Sequence, residues 1–134
     1  MDAGGRNSWD DFEVPATVTV IPGDDVDACA DKVRPMLALY IGGMGAKGQN
    51  FHYDVFERMG YPDECAKIQE LYLAGNKADA IAAVPTSMCE AISLIGPPAK
   101  IKDELAMWEE SVVNTILVSG PVELLRFVAD ELMG

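Results

Sequence analysis

The stretch Ile41–Asp54, IGGMGAKGQNFHYD, carries glycines at 43, 45 and 48 in the spacing G-x-G-x-x-G. That spacing cradles a dinucleotide pyrophosphate when a strand precedes it, a helix follows, and an acidic residue ends the next strand. Upstream, however, Met36 to Ile41 continues the apolar spacing of Val26, Cys29, Ala30, Val33 and Leu37, which is helical. Downstream, Glu70 stands near the right distance but inside CAKIQELYLAG, which is helical by period and by its caps. Both flanks therefore argue against a dinucleotide loop. The glycines read instead as a helix end at Gly42-Gly43 running into a sharply turning loop. Lys47, Asn50, His52 and Tyr53 follow closely and make that loop a candidate site.

Outward from the loop, the chain alternates helices with two β-rich runs. Residues 1–13 are polar and acidic, with Gly4-Gly5 and Asp10-Asp11, and read as a loose lead-in. The run 14–23 (VPATVTVIPG) is β-branched and predicts a strand closed by Pro22-Gly23, with Asp24 or Asp25 placed to cap the next helix. A helix of about four turns follows, with Pro35 expected to kink or split it. Further helices are expected over NFHYDVFERMGY, stopping at Gly60, over DECAKIQELYLAG, opened by Pro62 and stopped at Gly75-Asn76, and over KADAIAAV and TSMCEAI. SLIGPP is extended, because each proline disfavours helix in the residue before it. The span 24–96 is thus a helical excursion, and 97–134 reads helix–strand–helix. In that last part VVNTILVSG is apolar enough for a strand buried on both faces, and Val122, Leu125, Val128 and Leu132 line a final helix. Two buried-type parallel strands do not make a covered sheet by themselves, so the chain is expected to lack neighbours.

The 134 residues make one domain, and 49% hydrophobic content supports a packed core. A net charge of −12 with no basic run argues against nucleic acid and anionic membranes as partners. Cys29, Cys65 and Cys89 form no CxxC pair and His52 is the single histidine, so no metal site is expected and the thiols suit a reducing, cytoplasmic setting. No Gly-x-Ser-x-Gly elbow is present, and adjacent acids such as Glu109-Glu110 do not face one another on a helix. In (β/α)8 barrels function gathers where strands end. Ser119-Gly120, before Pro121, is a candidate anion seat at a helix start, whereas Asp24 and Asp25 at the other strand end would repel an anion.

Three segments taken in order, VRPMLALYIGGMGAKGQNFHYDVFERMGY, AKIQELYLAGNKADAIAAVP and SLIGPPAKIKDELAMWEESVVNTILV, carry a resemblance over nearly the whole chain. The sequence resembles the C-terminal part of luciferase-like flavin- or deazaflavin-dependent oxidoreductases, the actinobacterial branch that uses coenzyme F420. The resemblance implies an α/β fold, part of a TIM (β/α)8 barrel, with ATVTVI and NTILVS as its last two strands and the helical middle as an excursion near the cofactor and substrate entrance. It implies hydride transfer in the parent family, a small-molecule substrate, and a deazaflavin cofactor with FMN as the alternative. Tyr40, Gly42, Gly43, Lys47, Asn50, Phe51 and His52 match the family's substrate-side loop, and Ser119 and Gly120 are the positions assigned to the cofactor. No catalytic residue carries over, because the family draws those from earlier strands. Val112 departs from the family, which usually places Gly there. A barrel of this kind needs eight strands and typically about 250 residues. The expectation is therefore an inactive portion, held in a homo-oligomer or against the missing N-terminal barrel portion. The alternative is a non-catalytic helical interaction protein derived from the same enzymes.

Overall fold

The structure is a computed structural model and describes residues 12–134. The lead-in expected over 1–13, with Gly4-Gly5 and Asp10-Asp11, falls outside the described residues except for Phe12 and Glu13. The fold is mixed α/β and mostly helical.

The run expected as one strand serves as two. Its first half, β1 (Pro15–Thr17), pairs in parallel with β4 (Thr115–Leu117), and its second half, β2 (Thr19–Pro22), pairs in parallel with β3 (Ser93–Gly96). The Val18 N–H donates to Leu117 O and the Gly23 N–H to Gly96 O. Successive N–H groups of an extended chain point to opposite edges, so the odd spacing from 18 to 23 puts β4 and β3 on opposite sides. The side chains keep the same alternation: Ala16, Val18 and Val20 pack with one apolar cluster and Ile21 with the other. Pro22 fits this register because its missing donor falls on the edge away from β3.

The segment 93–96 is thus a third parallel strand, and the helical excursion expected to run to residue 96 stops at α6. Four residues ahead of Pro97-Pro98, all buried, give no alternation for a periodicity argument to detect.

Between β2 and β3 lie six helices: α1 (Val26–Ala30), α2 (Arg34–Gly43), α3 (Phe51–Arg58), α4 (Pro62–Leu73), α5 (Lys77–Ala82) and α6 (Thr86–Glu90). Asp25 caps α1 by accepting from Asp27 N at 2.9 Å and Ala28 N at 3.2 Å. Pro35 splits the expected long helix by seating itself in the first turn of α2. Arg34 bridges the break: Nε donates to Val84 O at 2.9 Å, a second nitrogen reaches Thr86 Oγ1 at 2.6 Å, and Asp27 and Asp31 flank it. The hydrogen bond from Thr86 holds the Asp27 carboxyl below its ordinary pKa, and Arg34 adds to that. Leu37, Ile41, Ile68, Met88 and Ile95 are fully buried in this lobe.

After β3, α7 (Pro98–Glu109) leads to β4, then α8 (Val122–Phe127) runs into a π-helical stretch, Val128–Leu132. These cover the other sheet face, where Val18, Val20, Leu94 and Ile101 meet Leu105, Trp108, Ile116 and Phe127. Right-handed crossovers that run in opposite directions across a sheet, here β2 to β3 and then β3 back to β4, place their helices on opposite faces, and the two clusters show that arrangement. At Val112 no left-handed backbone is needed. Ser111 makes the turn, its hydroxyl donating to Trp108 O at 2.6 Å and accepting from Val113 N at 3.1 Å.

Candidate functional site

The glycine loop is pinned by Asn50. Its buried amide donates to Tyr40 O and Ile41 O, each at 2.9 Å, and its oxygen accepts from Tyr53 N at 3.1 Å to cap α3. One side chain thereby ties the end of α2 to the start of α3. Gly42 and Gly43 seat the Tyr72 ring of α4: a Cβ would stand 2.5 Å from Tyr72 Cβ at Gly42 and 2.6 Å from a ring carbon at Gly43. Of the three fingerprint glycines only Gly48, at φ +80°, needs a left-handed backbone. The loop follows a helix, as its flanks require, so these glycines serve packing and turning.

Around it stand the aromatics. His52 stacks on Tyr40 with ring centroids 4.6 Å apart and planes 19° from parallel, and Phe51 meets His52 edge-on at 5.7 Å. Phe51 is 71% exposed. Lys47 points to a neighbouring cavity of about 630 Å³ that Tyr53, Gln69, Glu70 and Leu73 also line. Burial raises the Tyr53 phenol above its ordinary pKa, with nearby carboxylates adding to the effect. Gln69 is buried and its Nε2 has no hydrogen-bond partner. Gln69 is not among the positions that the glycine fingerprint or the strand ends single out. Its signal was a polar residue within the apolar stripe Cys65, Ile68, Tyr72 of α4.

At the strand ends the chemistry differs. Ser119 and Gly120 follow β4 and are exposed, and Gly120 lies against Leu124, whose Cδ2 would be 2.6 Å from an added Cβ. Pro121 brings no N–H to the start of α8, and Glu123 puts a carboxylate in its first turn. Both features oppose an anion there. At the end of β3, the Lys100 ammonium donates to Ile95 O at 3.0 Å and pairs with Glu104 at 2.6 Å and Glu90 at 3.0 Å. Burial works against the Lys100 charge, but these two carboxylates outweigh it and raise the pKa. No hydrogen bond or ring contact among the described residues joins Ser119-Gly120 to the Tyr40–His52 group. No three His, Cys, Asp or Glu side chains among them are placed to hold a metal ion.

Parallel strands joined through helices, with loops gathered at the strand ends, are the building units of α/β enzymes. Residues 2–115 match the luciferase-like monooxygenase family, and the chain belongs to that family. It is 36% identical over 127 residues to a protein of Mycobacterium tuberculosis named as a candidate coenzyme F420-dependent oxidoreductase. That match takes in 94% of this chain and 37% of the relative, so the chain spans little more than a third of the relative's length. Among solved structures, the coenzyme F420-dependent tetrahydromethanopterin reductase of Methanopyrus kandleri matches with a TM-score of 0.73 at 23% identity. There the match covers 98% of this chain and 38% of the reductase. The chain is thus a fragment-sized member of the family, and its fold matches part of a luciferase-like barrel enzyme.

Proposed function

We propose that this chain is the C-terminal portion of a deazaflavin-dependent, luciferase-like oxidoreductase and does not transfer hydride by itself. A cavity of about 570 Å³ between the sheet and the last helices carries this reading. Its walls are mostly apolar, with Leu94, Leu105, Trp108, Ile116 and Val128 among them. Of the polar side chains that line it, Asn114 and Ser111 are already hydrogen-bonded. Asn114 accepts from Val14 N at 2.9 Å and donates to Phe12 O at 2.8 Å, and the Ser111 hydroxyl is spent on its own turn. Glu109 adds only a carboxylate. A deazaflavin with a phosphate tail needs free donors and positive charge, and the lining offers no cationic side chain, so the residues present do not fit the cofactor. The relatives named for coenzyme F420 support the family chemistry, and the missing length supports its absence from the isolated chain.

Titration of the chain into coenzyme F420, followed by the coenzyme's fluorescence, tests the reading. No change is expected up to hundreds of micromolar protein; saturable quenching by the isolated chain would overturn it.

The second reading, a non-catalytic interaction protein that self-associates, draws on the exposed Met107, Val112, Leu117, Val122, Leu125 and Met133. Light scattering that gives one chain per particle at high concentration removes it.

A further inference from the structure

We propose that the pocket between the glycine loop, α3 and α4 binds a small zwitterion with an aliphatic body, of the amino-acid or short-peptide class, through Lys47, Tyr53, Gln69 and Glu70. It shares no lining residue with the 570 Å³ cavity and does not depend on the barrel reading.

The loop, α3 and α4 are each held in place around this pocket. The Gln49 N–H donates to Ala46 O at 2.9 Å, closing a turn that carries Lys47 at its tip. Gly48, at φ +80°, supplies the left-handed residue of that turn, and a Cβ at Gly45 would stand 2.8 Å from Gln49 O. Asn50 then ties the loop to the end of α2 and caps α3, which sets Tyr53 in the first turn of that helix. The spacing of Ala66, Gln69, Glu70 and Leu73 puts all four on one stripe of α4. The pocket between these elements is about 630 Å³, a size that accepts a small molecule.

Its polar groups are uncommitted. Gln69 is only 5% exposed, yet its Nε2 has no hydrogen-bond partner. A buried amide left unpaired is costly, and its buried neighbours Cys65 and Ile68 on α4 are apolar, so packing alone does not call for it. A half-turn of the amide exchanges its nitrogen and oxygen, so Gln69 can meet either an acceptor or a donor in the pocket. Among the described residues neither Lys47 nor Glu70 belongs to an ion pair. The Tyr53 phenol, its pKa raised by burial, stays protonated and adds a donor.

The charges select the ligand class. A chain of net charge −12 repels a simple anion, and Glu70 at the pocket adds to that repulsion. A simple cation is repelled by Lys47 and leaves it unpaired. A ligand with both poles and no net charge satisfies the two together: its carboxylate suits Lys47 and Tyr53, and its ammonium suits Glu70. Leu73, 56% exposed, and Ala66 offer apolar contact to an aliphatic body.

The test titrates the full chain with leucyl-leucine and follows the protein's backbone amides by NMR. Saturable shifts at Lys47, Tyr53, Gln69 and Glu70 are expected, with a Kd of about 1 mM or below. N-acetyl-leucyl-leucine, which lacks the ammonium, and leucyl-leucine amide, which lacks the carboxylate, should each bind about tenfold more weakly. Lys47→Ala, on an exposed turn, should weaken binding by about tenfold and leave the unfolding midpoint unchanged. Gln69→Leu removes the buried amide and should weaken binding by a similar factor without lowering stability. Should Gln69→Leu fail to fold, Lys47→Ala decides alone. No saturable shift up to about 10 mM, equal binding of either capped dipeptide, or binding indifferent to Lys47→Ala would overturn the proposal.

Discussion

The helical lobe between β2 and β3 and the module after β3 are both made of short amphipathic helices on a strip of parallel sheet. In the lobe, α2, α4 and α5 pack on one another and drive Leu37, Ile41, Ile68 and Ala80 to zero exposure. In the module, α7 and α8 carry comparable apolar stripes, yet nothing after Ile101 reaches full burial. Amphipathic pattern alone therefore does not decide burial; each stripe also needs a second layer. The lobe contains its own second layer, and the module lacks part of one.

The strongest way to break that contrast is to truncate matched side chains. Ile68→Ala should cost about 2–5 kcal/mol in urea unfolding, whereas Leu125→Ala, 42% exposed, should cost under about 1 kcal/mol. Equal losses would mean that the module is packed as tightly as the lobe. Next comes Asn50→Ala, which strips the caps from two carbonyls and the first turn of α3, at about 2 kcal/mol. Gly42→Ala sets a methyl into Tyr72 and should cost about 1–3 kcal/mol.

A smaller effect follows from pH. Burial, aided by Glu57 and Glu64, pushes the Cys65 thiol up from 9.0 to about 11, and burial raises Cys89 as well. A folded pKa above the unfolded one means stability that is complete below pH 9 and lost as pH rises toward about 11. Unfolding midpoints should fall over that window, and Cys65→Ala should flatten the fall. The slightest perturbation is labelling at pH 8, where a thiol reagent should leave Cys65 and Cys89 unmodified until the lobe unfolds.

Much of the lobe was legible because its punctuation is local. Asp25, Pro35, Gly60 and Gly75 act within one turn of their own position, and the structure uses each where the sequence places it. In the segment 93–96 the prolines signal extended chain but not a paired strand, since its partner lies some seventy residues earlier. β4 was expected to be buried on both faces and is only half-covered. Its composition anticipates neighbours, and burial depends on neighbours that composition cannot supply. At the candidate site, the sequence singled out Asn50 and the aromatics beside it but not Gln69. An unpartnered buried amide is defined by its surroundings, and those include two other stretches of chain, at Lys47 and Tyr53.

Pro22 limits how far the edge that β4 occupies can be paired. On the edge facing away from β3, a partner strand finds donors at Ala16 and Val18, a Val20 N–H, and then a ring with none. Any strand that adds there can zip along only the first half of the run before its acceptors go unmatched. The proline thus blocks the growth of indiscriminate cross-chain ladders along the second half of the run, while the first half is the segment that β4 reads.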